Sequence, residues 1–213
     1  MSNTIHFSGI GGVGMSALAQ VAAMEGRSVS GSDRDFARGR NLGVKAALEA
    51  LGIKIFPQDG SGITAATSEL ALSTAIEDSN PEVQRAKAAG LRIRHRSELL
   101  AAEVNGSDTI AVAGTSGKST VAAMLFAVLE SAGLGPSIIT GGALGALRAR
   151  GLIGNAFRGK GKVLVVEADE SDGTIVRYKA RTGVLLNISK DHKDLEDLNK
   201  IFKEFAGNCG RVI

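Results

Sequence analysis

Twice in this chain a short apolar run breaks into a glycine-rich turn that opens straight into a helix-period segment. The first is Ile5 to Ser8 followed by Gly9-Ile10-Gly11-Gly12-Val13-Gly14-Met15-Ser16; the second is Val112-Ala113-Gly114-Thr115-Ser116-Gly117-Lys118-Ser119-Thr120. Few folds accept that construction. A strand that turns directly into a helix must be carried back before the next strand can begin, so repeats of the unit build a parallel sheet with helices on its faces. The composition agrees: 28 of 213 residues are glycine and only 4% are aromatic, which suits many tight strand-to-helix turns.

Up to about Arg96 the rhythm repeats. Strands are predicted at 28–30, 53–56, 70–73 and 91–93, and helices at 15–25 and 44–51, the latter presenting Val44, Ala47, Leu48 and Leu51 on one face. A further helix opens at Pro81 with Asn80 as its cap. A short helix near 97–103 and the polar run Asn105-Gly106-Ser107-Asp108 then interrupt the pattern, which restarts at Thr109. The reading is an α/β protein with a Rossmann-like parallel-sheet domain over 1–106 and a P-loop-type α/β domain over 107–213. In the second domain Val121, Met124, Leu125, Val128 and Leu129 are expected as one buried stripe. Strands are expected at 162–166 and 183–187, and Leu195, Leu198, Ile201, Phe202 and Phe205 as the inner face of a last helix. Gly210-Arg211-Val212-Ile213 reads as a strand just begun, so this domain is expected to be partial.

The net charge of +3 is spread over scattered Lys and Arg with almost no aromatic interleaving, which argues against nucleic acid. No run approaches the 18 or so apolar residues of a membrane helix, and the N-terminus lacks a leader pattern. The lone Cys209 has no disulfide partner and reads as a small buried or surface thiol. These features point to a cytoplasmic protein. His6 and His95 read as structural.

The chemistry lies at strand ends. Around Gly11, Gly12 and Gly14 the backbone can approach a diphosphate, whose charge is favoured by free N–H groups at the helix start. Asp33, after the second strand, stands about where an acidic residue meets a ribose hydroxyl in dinucleotide folds. In the second turn Gly114 and Gly117 bend the chain, Lys118 can neutralise a transferring phosphate, and Ser119 offers a hydroxyl to Mg²⁺. A full P-loop would have glycine at 112, where this chain has Val112. In Val163-Leu164-Val165-Val166-Glu167-Ala168-Asp169-Glu170-Ser171-Asp172 an apolar strand runs into clustered acids, which repel unless a cation sits among them. His192 follows another apolar strand end.

In this order, IHFSGIGGVGMSALA, SGSD, LSTAIEDSNPEV, IRHRSELLA, AVAGTSGKSTVAAML, Gly141-Gly142, VEADESDGT and LLNISKDH resemble the Mur ligase family, the amide-forming enzymes of peptidoglycan precursor synthesis. The likeness is greatest to the branch that adds alanine or recycles murein tripeptide. It implies that Gly11, Gly12, Gly14, Met15, Ser16, Ser73, Thr74, Ala75 and Asn80 face a UDP-N-acetylmuramate-type nucleotide sugar. It also implies that the loop Gly114, Thr115, Ser116, Gly117, Lys118, Ser119 and Thr120 holds ATP phosphates, that Ser119 and Glu167 ligate one Mg²⁺, and that His192 ligates a second. The implied reaction joins an amino acid or peptide to the sugar's carboxylate through an acyl phosphate. The amine would be bound by a C-terminal domain, without which the fragment is expected to be inactive. Ser116 stands where alanine-adding relatives have His, and Ser119 where they have Thr. Two other readings stay open: an NAD-dependent oxidoreductase, argued from the first turn with Asp33, and a non-catalytic UDP-sugar-binding module, which a partial second domain would permit.

Overall fold

The computed structural model describes residues 4–171, 173–189 and 194–213. The chain divides into two compact units, one of residues up to 99 together with 145–157, the other of 100–144 with 158–213. In the first, β1 (Thr4–Ser8), α1 (Val13–Met24), β2 (Val29–Ser32), α2 (Arg34–Ala37), α3 (Leu42–Ala50), β3 (Lys54–Phe56), β4 (Thr67–Leu72), α4 (Pro81–Ala88) and β5 (Arg92–His95) follow in turn. Their strands form one parallel sheet in the order β3-β2-β1-β4-β5. The order reverses between β1 and β4, and open sheets of this kind leave a crevice at the carboxyl ends of those two strands.

Central strands covered on both faces need apolar residues on both sides. Accordingly Ile5, Phe7, Leu70 and Ala71 are buried, and so is His6. Helix α1 is enclosed nearly all round, from Met15 to Ala22, which explains its small residues Ala17, Ala19 and Ala22. Helix α4 begins as expected: Asn80 Oδ1 accepts the Glu82 N–H at 2.8 Å, and Pro81 occupies the first turn. Helix α3 turns Val44, Ala47, Leu48 and Leu51 to its less exposed side, with Leu48 fully buried.

Helix α5 (Arg96–Gly106) contains the division, and β6 (Asp108–Ala113), α6 (Lys118–Ser131) and β7 (Ser137–Ile139) open the second unit. The next pieces, α7 (Gly145–Arg148) and β8 (Ala156–Phe157), belong to the first unit. There Asn155 Nδ2 donates to the Val13 carbonyl at 2.7 Å and to Ser16 Oγ at 3.0 Å, while Gln20 Nε2 donates to Asn155 Oδ1 at 2.8 Å. The second unit continues with β9 (Val163–Glu167), a 3-10 turn at Thr174–Arg177, β10 (Thr182–Leu185), α8 (Leu195–Asn208) and β11 (Arg211–Val212). Its strands run parallel in the order β11-β10-β6-β9-β7.

Two sequence expectations are corrected here. On α6 the fully buried side chains are Ala122 and Phe126, whereas Met124 is 62% and Val128 66% exposed. At about 100° per residue, positions 124 and 128 lie nearly opposite 122 and 126. The helix carries apolar residues on both sides, so periodicity alone could not choose the packed one. On α8 Leu198, Phe202 and Phe205 are buried as expected, but Leu195, the first helical residue, is 45% exposed. The strands at 137–139 and 156–157 and the short helices α2 and α7 have no counterpart in the sequence reading; they are too brief to show a period.

Cys209 follows α8 with Sγ packed so closely on Gly183 that a Cβ there would stand 2.9 Å from the sulfur. Burial raises its thiol above the ordinary cysteine value. Because the thiolate is the reactive form, iodoacetamide should label Cys209 in the native chain several-fold more slowly at pH 8 than in urea. Equal rates in the two states would contradict this packing.

Candidate functional site

The first unit carries a cleft of about 650 Å³ at the carboxyl ends of β1 and β4, within the size range of ligand pockets. Of the residues nominated from sequence, Gly11, Gly12, Gly14, Met15, Asp33, Ser73, Thr74, Ala75 and Asn80 all line it. Ser16 does not: it is buried, with Oγ donating to the Val13 carbonyl at 3.0 Å. Asp33 is already engaged. Its Oδ2 accepts the Gly11 N–H at 2.8 Å, and its Oδ1 accepts the Asp35 N–H at 2.9 Å, capping α2. That carboxylate therefore shapes the glycine turn, and a Cβ on Gly11 would sit 2.8 Å from Asp33 Oδ2.

The sequence reading did not nominate Arg34 and Arg96, which add two cations to the cleft wall. Arg96 Nη1 comes within 3.3 Å of where a Gly14 Cβ would be, so guanidinium and glycine turn face the same space. The signal was present in IRHRSELLA, but among Arg92, Arg94 and Arg96 nothing in the sequence says which one reaches the cleft.

Beneath the cleft floor a buried polar network ties the sheet to α4. Three donors converge on the Glu82 carboxylate: His6 Nε2 at 2.9 Å, Ser8 Oγ at 2.5 Å and Ser32 Oγ at 2.8 Å. His6 Nδ1 is 2.9 Å from Ser30 Oγ. The structural reading of His6 holds, and His95 is likewise bonded, with Nδ1 2.8 Å from Ser97 Oγ.

In the second unit the loop from β6 to α6 uses its glycines for backbone shape: Gly114 has φ +135° and Gly117 φ +86°, a region that side chains disfavour. The first-turn N–H groups of α6 have no intrahelical partner, which makes the helix start an anion site. Lys118 Nζ bridges the Gly114 carbonyl at 2.8 Å and Glu170 Oε2 at 3.0 Å, with the two side chains only 13% and 7% exposed. Next to it Ser119 Oγ lies 2.9 Å from both oxygens of Glu167, whose Oε2 also accepts from Thr140 Oγ1 and the Gly141 N–H, each at 2.7 Å. Lys118 and, through Ser119, Glu167 thus lie side by side at the ends of β6 and β9. Glu170 was not singled out from sequence; among adjacent acids only the fold shows which one meets the lysine. Thr115 is buried and Ser116 exposed; the Thr115 hydroxyl and the Ser116 N–H both donate to Asn187 Oδ1. His192 lies outside the described residues.

Oxygen donors alone suit Mg²⁺. Adjacent ligands of an octahedral Mg²⁺ at 2.0–2.1 Å stand about 2.9 Å apart, and Ser119 Oγ and Glu167 have that separation. Among the described residues no group of three or more His, Cys, Asp or Glu could hold a metal. The remaining ligands would then be phosphate oxygens and water, as is usual for this ion.

The fold is that of a family with known members. A model of the "Mur ligase family, catalytic domain" matches residues 4–108 and a model of the "Mur ligase middle domain" matches residues 112–206. The chain belongs to the Mur ligase family. It is 42% identical over 221 residues to UDP-N-acetylmuramate--L-alanine ligase of Synechococcus sp. (strain CC9605), covering 98% of this chain and 45% of that protein. To the ligase of the same name from Cyanothece sp. (strain PCC 7425 / ATCC 29141) it is 43% identical over 215 residues, covering 98% and 42%. The UDP-N-acetylmuramate-alanine ligase structure from Thermotoga maritima superposes with a TM-score of 0.82 at 30% identity, covering 98% of this chain and 48% of that one. A UDP-N-acetylmuramate:L-alanyl-gamma-D-glutamyl-meso-diaminopimelate ligase from Neisseria meningitides gives 0.80 at 28%, covering 98% and 69%. The chain spans less than half the length of the curated relatives it matches.

Proposed function

We propose that this chain supplies the nucleotide-sugar and ATP-phosphate sites of an ATP-dependent carboxylate–amine ligase of peptidoglycan precursor synthesis. The reaction would take place in the cytoplasm, where ATP is at hand. The observation that carries the reading is the Lys118–Ser119–Glu167–Glu170 cluster at the start of α6. A glycine turn alone would serve a dinucleotide or a sugar-binding module equally well; neither alternative has a use for a buried lysine beside a metal-spaced hydroxyl and carboxylate.

In this reading residues 1–106 hold UDP-N-acetylmuramate or a close relative. Its diphosphate lies against the turn Gly11, Gly12 and Gly14 with Arg34 and Arg96 near, and Ser73, Thr74, Ala75 and Asn80 line the opposite wall. Residues 107–213 hold ATP. The first-turn amides of α6 and Lys118 receive its phosphates, and Ser119 with Glu167 would hold a Mg²⁺ that neutralises charge on the transferring group. His192 is assigned to a second Mg²⁺ on the family resemblance. The sugar's carboxylate attacks the γ-phosphate to give an acyl phosphate and ADP, and an amino acid or peptide amine displaces phosphate through a tetrahedral intermediate. The protein's task is to bring two anions together, which oriented amides and Lys118 make less costly.

Calorimetric titration with UDP-N-acetylmuramate, UDP-glucose, NAD and Mg-ATP tests the reading. We expect the muramoyl nucleotide to bind in preference to NAD, and Mg-ATP to bind independently; preference for NAD would overturn the assignment. Gly11→Ala should weaken UDP-sugar binding on the order of tenfold or more, because the new methyl meets Asp33 Oδ2 and displaces the turn, while leaving Mg-ATP affinity unchanged. An unaltered UDP-sugar affinity would place the diphosphate elsewhere.

A further inference from the structure

We infer that Asn187 is the positioning residue of the phosphate loop, holding it in its binding shape before any nucleotide arrives. The inference rests on the ATP-site reading above and adds to it a residue that never touches the phosphates. Asn187 stands two residues beyond β10, whose line continues through a Leu186 N–H to Ala113 carbonyl bond of 3.0 Å. Four hydrogen bonds join this one residue to the loop. Its backbone carbonyl accepts the Thr115 N–H at 3.1 Å, its Oδ1 accepts Thr115 Oγ1 at 2.8 Å and the Ser116 N–H at 3.0 Å, and its Nδ2 donates to the Ser116 carbonyl at 2.9 Å. Ser189 reinforces the joint, its N–H reaching Thr115 Oγ1 at 3.0 Å and its hydroxyl 2.8 Å from the same atom.

The side-chain amide thus pairs with both backbone groups of Ser116, as a neighbouring strand would. Gly114 completes the fit, since a Cβ there would stand 3.1 Å from the Asn187 backbone N and O. With the Ser116 amide committed to Asn187, the next N–H groups, from Gly117 to Thr120, are the ones left to face a ligand at the helix start. A flexible glycine loop would have to lose that freedom on binding; one already pinned does not, and the difference appears as affinity. Only an amide side chain serves here. Aspartate would oppose its carboxylate to the Ser116 carbonyl and add a negative charge near the phosphates, and leucine would leave both exposed backbone groups of Ser116 to water, which does not fix the loop's shape.

The test has two arms. In hydrogen exchange on the unliganded chain, the Ser116 amide should be protected while those of Gly117 and Lys118 exchange rapidly and become protected when Mg-ATP is added. Ser116 exchanging as fast as Gly117 would overturn the clamp without any variant being made. In calorimetry, Asn187→Leu should lower Mg-ATP affinity on the order of tenfold or more, Mg-ADP affinity less, and AMP affinity least, with UDP-sugar binding unchanged. Asn187→Asp should lose at least as much as Asn187→Leu. Equal losses for all three nucleotides, or ATP binding within about twofold of the parent, would refute the positioning role. A parent chain that binds no Mg-nucleotide while its Ser116 amide is protected would instead remove the ATP-site reading and leave the clamp as a purely structural joint.

Discussion

Lys118→Ala should reduce Mg-ATP binding by at least a hundredfold, an effect of the size expected when a charge-assisted phosphate contact and its supporting geometry are lost together. In the full ligase it should abolish ADP formation. UDP-sugar affinity should be unchanged, because the nucleotide-sugar cleft is lined entirely by residues of the other unit. The substitution has a second consequence that separates charge from fold. The Glu170 side chain is 7% exposed and ion-paired to Lys118, so alanine removes one of the contacts that hold this carboxylate. Losing a hydrogen bond to a charged group costs about 1.5–3 kcal/mol, and Lys118 is 13% exposed, so a loss of about 2 kcal/mol is expected. Lys118→Ala with Glu170→Gln should regain most of the lost stability in urea and none of the ATP affinity. If the double variant binds Mg-ATP like the parent, Lys118 is a structural counter-ion and not a phosphate ligand.

The largest stability effect should come from Glu82. Its carboxylate and the His6 ring are both fully buried, and Ser8 and Ser32, also fully buried, share the same two oxygens. Glu82→Leu removes the acceptor for three donors at once. Each orphaned polar group costs about 1–3 kcal/mol, so a loss of about 3–5 kcal/mol is expected in urea unfolding, a large share of the roughly 5–15 kcal/mol that holds an ordinary domain folded. Glu82→Gln keeps one acceptor oxygen and should cost clearly less. Glu82 also begins α4 beside Asn80 and Pro81, which line the cleft, so the glutamine variant should bind UDP-sugar more weakly as well. A leucine variant with the parent's urea midpoint would show that the network contributes nothing to folding.

Much of this was legible before any coordinates. The glycine turns after apolar runs gave the parallel sheets, Asn80-Pro81 gave the start of α4, and Gly-Lys-Ser-Thr at the head of a helix marked the phosphate loop. In each case a local backbone requirement admits few residue types. The face that α6 buries was misread, because Met124 and Val128 are as apolar as Phe126 and the period fits either side. Asp33 illustrates a different limit: the sequence placed an acid after β2, but that its carboxylate holds the Gly11 amide and caps α2 depends on where two segments 22 residues apart meet.

The sequence by itself therefore determined the α/β class, the two phosphate-type turns and the nomination of Lys118, Ser119 and Glu167, because strand, turn and helix signals act over a few neighbouring residues. Tertiary structure alone decided that Glu170 is the acid paired with Lys118, that Arg96 reaches the glycine turn, that Glu82 gathers His6, Ser8 and Ser32, and that Asn187 grips Ser116. Those pairings join residues between 50 and 82 positions apart. Which partners meet at such separations is set by the order and register of the strands, and no local pattern along the chain encodes that.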